Sequence, residues 1–173
     1  MSPVEERFIL HWGEMGTKWG INRTVAQIHA LLYLAPKPLT AEEIVEALSV
    51  ARSNVSNSLR ELQGWGIVKV VHVLGDRRDH FESLKDVWEM FQIIIEERKR
   101  REVDPTVAYL QTCLADIVPG EKNEAYTRER LKEMVSFFET MTAAYAETRR
   151  VPLTFLKGLV RAKGRLAKFL AGD

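Results

Sequence analysis

Leu39-Thr40-Ala41-Glu42-Glu43-Ile44-Val45-Glu46-Ala47-Leu48-Ser49-Val50-Ala51-Arg52-Ser53-Asn54-Val55-Ser56-Asn57-Ser58-Leu59-Arg60-Glu61-Leu62-Gln63 reads as two short helices with almost nothing between them. Thr40 is a good N-cap, and Glu43 completes a capping box, so the first helix starts here. Ile44, Val45 and Leu48 form its inner stripe. Ser49 to Arg52 leave room only for a tight connection. The second helix is expected from about Arg52 to Gln63, with Val55, Leu59 and Leu62 inward. Gly64 and Gly66 bracket its end.

Downstream, Ile67 to Leu74 reads as a strand, because Val68, Val70 and Val73 favour extended backbone. Gly75-Asp76-Arg77-Arg78-Asp79 is a turn, and His80-Phe81-Glu82 returns as a short second strand. Two helices joined by a tight turn and followed by a charged hairpin are the parts of a winged helix-turn-helix.

Helical periodicity extends on both sides. Phe8, Ile9, Trp12, Met15 and Trp19 predict an amphipathic helix over 4–18, ended by Gly20. Asn22 can cap a second helix to about Leu34, which Pro36 and Pro38 stop. From Asp86 to about Arg101 the apolar stripe is wide (Val87, Met90, Phe91 and Ile94, with Trp88 and Ile95 beside it), as in a helix shared with a partner. Further helices are expected from Asp104-Pro105 to about Ile117, over 123–148, and from Pro152. The expected fold is mainly α with a small β-wing. Residues 1–84 would form an N-terminal helix and a winged helix-turn-helix, and residues 85–173 a helical dimerisation region.

Composition narrows the function classes. The 173 residues are 46% hydrophobic and 28% charged, the balance of a globular protein with a real core. The lone Cys113 forms no disulfide within the chain and reads as a small core residue. No apolar run is long enough for a membrane span, and the start of the chain lacks the order of a signal peptide, so a cytoplasmic protein is expected. Net charge is only +1, which argues against a bulk polyanion binder. Residues 149–173 carry seven basic side chains and one acid, a net +6, so residues 1–148 carry −5. DNA contact in the larger part would therefore need a local patch.

The second helix of the pair supplies one. Arg52, Ser53, Asn54, Ser56, Asn57 and Arg60 are polar, and no acid occurs among them until Glu61. Arg can pair bidentately with guanine and Asn with adenine in the major groove, while Ser and helix-start N–H groups suit phosphate. Exposed helix faces ordinarily favour Glu, Lys and Gln over the poorer helix formers Ser and Asn. Arg77 and Arg78 at the hairpin tip can reach the minor groove or phosphate, oriented by the neighbouring aspartates. His80 follows them and is expected either at the DNA or in solvent. No HExxH, GxSxG or phosphate-binding glycine loop occurs, so no catalytic site, metal site or cofactor is expected.

Several blocks resemble the GbsR-type branch of the MarR superfamily. They are Phe8 to Gly16, Leu31 to Leu34, Pro38 to Ile44, Arg52 to Ser56, Leu59 to Gln63, Gly66 to Val68, Gly75 to Asp79, Trp88 to Phe91 and Glu97 to Pro105. The resemblance covers about residues 5–110. It implies a dimeric winged-helix repressor, in some members governed by a small-molecule effector such as choline. It implies contacts to double-stranded DNA from Arg52, Ser53, Asn54, Ser56, Asn57 and Arg60, with Arg77 and Arg78 on the wing. This chain departs at Ala51, where the family has a capping Ser, and at Ser49, where Gly is common. Phe8, Trp12, Trp19, Tyr33, Trp65, Trp88 and Phe91 could wall an effector pocket by cation–π contact, or simply pack together. The contrasting reading is a winged-helix protein-interaction module that does not bind DNA. The basic last helix suits solvent, DNA phosphates or an acidic partner, and its apolar face suits docking.

Overall fold

A computed structural model of the chain describes residues 1–120 and 122–150. The basic helix expected from Pro152 lies outside them. The chain forms two compact units, Met1–Lys99 and a second that begins at Arg100.

In the first unit, α1 (Pro3–Lys18) begins at a cap the sequence reading did not use. Ser2 accepts from the Glu5 backbone at 3.3 Å, and the Ser2 backbone donates to the Glu5 carboxylate at 2.5 Å. Helix α2 (Arg23–Leu34) is capped by Asn22, whose side chain accepts from Thr24 N at 2.8 Å. Helices α1 and α2 approach closely through Gly13 and Gly16, both buried. A Cβ at Gly16 would lie 2.5 Å from the Ala26 Cβ. Gly16→Ala is therefore expected to destabilise the protein by about 1–2 kcal/mol, the overpacking cost exceeding alanine's helix preference. A urea denaturation midpoint equal to or above that of the parent protein would contradict this.

The two decisive helices are α3 (Ala41–Leu48) and α4 (Arg52–Trp65). Thr40 caps α3 as expected, with the reciprocal bond from Thr40 N to Glu43 Oε2 at 2.7 Å. Ser49 ends α3 in the left-handed region (φ 52°, ψ 41°), which explains why a small residue without a β-branch stands there. Helix α4 ends at Gly66 with φ 81°.

The sheet has three strands rather than the two the hairpin signal suggested. β1 is Leu39–Thr40, β2 is Val68–Val71 and β3 is His80–Ser83, in the order β1-β3-β2 with both pairings antiparallel. Thr40 pairs with His80 and Val71 also pairs with His80 across β3, so the central strand ties the start of α3 to the wing. Strand β2 ends at Val71, three residues before the expected end, and His72 to Asp79 form a longer wing loop.

Ile28, Leu32, Ile44, Val55, Leu62 and Ile67 are almost wholly buried in one core shared by α2, α3, α4 and the sheet. Burying each such side chain contributes about 1.5–3 kcal/mol, and this packing fixes the angle at which α4 leaves the core. Helix α5 (Val87–Arg98) is capped by Asp86, whose carboxylate accepts from Trp88 N and Glu89 N at 2.8 and 3.0 Å. The Lys85 ammonium donates to the carbonyls of Leu32, Tyr33 and Ala35 at 2.9, 2.7 and 2.9 Å, satisfying the open end of α2.

A π-helical turn, Lys99–Val103, follows α5. In the second unit, α6 (Asp104–Asp116) and α7 (Glu124–Arg150) bury Leu110 and Val135. Cys113 is half-buried on α6. Among the described residues no helix is long and apolar enough to cross a membrane.

Candidate nucleic-acid interface

Helix α4 separates its side chains by burial. Val55, Ser58, Leu59 and Leu62 point into the core. Arg52, Ser53, Asn54, Ser56, Asn57 and Arg60 are all exposed. The helical period makes this division: positions 53, 57 and 60 follow one another at about one turn, opposite the buried 55, 59 and 62, and 52, 54 and 56 flank that outer face. Arg60 Nη1 donates to Asn57 Oδ1 at 3.1 Å, which couples two of the six side chains.

The start of α4 has no side-chain cap, because Ala51 offers no acceptor. The first N–H groups of the helix are therefore available to an anion, and the helix dipole favours negative charge at this end. Arg52 is the first residue of the helix, and its Nη1 donates to Glu42 Oε1 at the first turn of α3.

The wing loop is built around Asp76. Its carboxylate accepts from Arg78 N at 3.0 Å and from Arg78 Nε at 3.0 and 3.1 Å, with Arg78 Nη2 at 2.5 Å. These bonds hold the Asp76 carboxyl far below the usual carboxylate range. The expected orientation of a wing arginine by an aspartate is thus present for Asp76 and Arg78. Arg77 is exposed and has no ion-pair or hydrogen-bond partner among the described residues. Glu42 and Glu43 are held below the usual carboxylate range chiefly by backbone hydrogen bonds, at Glu42 itself and from Thr40, and Arg78 adds the smallest contribution to each.

His80 is neither at the surface nor poised for DNA. It is buried in β3; its Nδ1 lies 3.0 Å from the Arg78 carbonyl and its Nε2 lies 3.5 Å from Asp76 Oδ2. A carbonyl can only accept, so Nδ1 donates, and His80 braces the wing from inside. Sequence alternation could not have shown this, since the adjacent His80 and Phe81 are both buried in β3 and it is the pairing with β1 and β2 that covers the ring.

The aromatic side chains do not form one cage. Phe8 stacks on Trp12 with centroids 5.5 Å apart, and Trp12 meets Trp19 edge-on at 6.2 Å. Trp12, Trp19 and Trp65 line a cavity of about 60 Å³ with His29 and Arg98. Tyr33 lies outside that wall, and Trp88 and Phe91 are exposed on α5. The Arg98 guanidinium on the cavity wall works against a quaternary ammonium ligand there. Among the described residues no group of three or more His, Cys, Asp or Glu is placed to hold a metal.

Residues 19–79, from the end of α1 to the wing tip, match the MarR family model. The match spans about a third of the chain. The chain is 23% identical to the HTH-type transcriptional repressor GbsR of Bacillus subtilis (strain 168) over 154 residues, 88% of this chain and 82% of that one. It is 29% identical to the HTH-type transcriptional regulator YvaV of the same organism over 53% of this chain and 51% of YvaV. It is 28% identical to the repressor OpcR over 51% of this chain and 48% of OpcR. The match to YvaV and to OpcR thus spans about half of their length. A crystal structure of a transcriptional regulator superposes with a TM-score of 0.57 and 20% identity, covering 84% of this chain and 99% of that one. The matched residues have the mostly helical, winged architecture expected from the sequence, and the relatives are named as transcription regulators.

Proposed function

We propose that the protein is a homodimeric, sequence-specific regulator of transcription of the GbsR type, a repressor that acts in the cytoplasm on double-stranded DNA. In this reading residues 1–84 bind DNA and residues 85–173 dimerise. The observation that carries it is the exposed face of α4, where six polar side chains, two of them cations, stand without an acid among them on an uncapped helix start. Asn54 and Asn57 would read adenine edges, Arg52 and Arg60 guanine edges, and Ser53 and Ser56 phosphates. Arg77 and Arg78 would engage the flanking groove. Twofold symmetry would set two α4 helices about one turn of DNA apart, on a pseudo-palindromic operator. Large apolar side chains left exposed, Trp88 and Phe91 on α5 and Met134, Phe137 and Met141 on α7, support a second copy as the partner.

The test is fluorescence anisotropy with DNA from upstream of the protein's own gene and a scrambled duplex, from about 50 to 200 mM salt. Preference for the upstream fragment with a steep salt slope supports the reading. Absence of binding to any duplex at low salt supports the protein-interaction module instead, a reading favoured by the net −5 of residues 1–148. Arg77→Ala is expected to weaken binding to all duplexes alike and to reduce the salt slope by about one. An unchanged slope removes Arg77 from the phosphate contacts.

A further inference from the structure

Two of the four arginines on the proposed DNA surface are held by carboxylates, and the two pairs are not equivalent. Asp76 stands two residues from Arg78 and bonds its backbone as well as its side chain, so this pair is part of the wing's own turn. Glu42 stands ten residues before Arg52, on a different helix. Helix α3 does not need Glu42 for its start, because Glu43 completes the capping box. Its carboxylate remains ionised, held down first by its own backbone amide and then by Arg52. The side chains of Arg52 and Glu42 are 69% and 45% exposed. An exposed acid beside a DNA-facing cation lowers affinity for every polyanion, so its placement calls for a reason other than affinity.

The contact geometry supplies one. A guanidinium carries five N–H donors in a rigid fork. Glu42 occupies Nη1 and leaves donors of the fork for a second acceptor. A guanine edge presents two acceptors, O6 and N7, at a fixed place in the groove. Phosphates of an arbitrary duplex lie elsewhere, and an untethered arginine would swing to reach them. We infer that Glu42 is a specificity-determining residue that positions Arg52: it pins the guanidinium toward the base edge and denies it to nonspecific phosphates. This rests on the DNA-binding reading above.

The experiment selects a preferred duplex from a random-sequence library with the parent protein. It then measures affinity for that duplex and for a scrambled one in the parent, Glu42→Gln, Arg52→Ala and the double variant. Glu42→Gln is expected to bind the scrambled duplex about 3–10-fold more tightly, with a salt slope steeper by about one, as a freed cation adds one phosphate contact. Affinity for the selected duplex is expected to change less than about twofold, so the specificity ratio falls. In the Arg52→Ala background Glu42→Gln is expected to leave the ratio unchanged, since no guanidinium remains to be released. A thermal melt of each variant reports any purely structural effect, which would move the melting temperature and not the ratio. An unchanged ratio in Glu42→Gln overturns the inference. Tighter binding to both duplexes by the same factor, with or without Arg52, also overturns it and marks Glu42 as a simple repulsive charge. Failure of the parent protein to select any duplex overturns the DNA-binding reading and this inference with it.

Discussion

Replacing Asn54 and Asn57 together by alanine is expected to abolish the preference for the operator over a scrambled duplex while leaving the protein folded. Both side chains are exposed on α4, so their removal opens no cavity. Alanine is also the better helix former, which offsets the loss of the Arg60 bond to Asn57. Each bidentate contact of an asparagine with adenine is worth about 1–3 kcal/mol of discrimination, so the pair accounts for much of a typical specificity ratio. The salt slope is expected to stay the same, because amides neutralise no phosphate. Competition binding against the two duplexes, with circular dichroism as the folding control, decides the matter. Retained discrimination would move the reading surface off this face of α4.

The second large effect is on stability in acid. His29 is buried in α2, and its Nε2 has no hydrogen-bond partner among the described residues. Burial, reinforced by the charge of Lys85, pushes its pKa from 6.5 down to about 4. Above the unfolded value both states keep the ring neutral, and the linkage contributes no pH dependence. Between the two values the unfolded chain takes up a proton that the folded chain refuses. Stability therefore falls as pH drops through this window, by about 1.4 kcal/mol per unit and roughly 3 kcal/mol in all. Urea midpoints at about pH 7.5, 5.5 and 4.5 should decline steeply in the parent protein and less so in His29→Leu, which keeps the volume without the titrating ring. Parallel declines in the two proteins would assign acid sensitivity to other groups. The same ring lines the small cavity with Trp12, Trp19 and Trp65.

Much of the domain can be read from short-range patterns. The capping box of Thr40 and Glu43, the apolar spacing of Val55, Leu59 and Leu62, and the glycine after Trp65 each act within one or two helical turns. A periodic reading finds such features without knowing the fold. Strand β1 escapes that reading because two residues cannot show alternation; Leu39–Thr40 becomes a strand only by pairing with Phe81 and His80. His80 shows the same lesson in its side chain. Its place after two arginines suggests a surface, yet the strand pairing on both sides buries it.

The tethers that shape the interface are equally invisible along the chain. Lys85 reaches back about fifty residues to the end of α2. Arg98 donates to the Trp19 carbonyl across a still longer separation. Glu42 finds Arg52 only because α3 and α4 cross at the angle the core imposes. No local spacing distinguishes these cations from solvated ones.

Sequence alone thus determined the helix pair, the wing and the identity of the polar residues on α4, because helix capping, side-chain period and turn chemistry act over a few residues. Tertiary structure alone decided which of the surface cations are free, which histidines are buried and how the third strand closes the sheet. Those outcomes depend on packing between segments far apart in the chain, where burial and pairing energies set the position of each charged group.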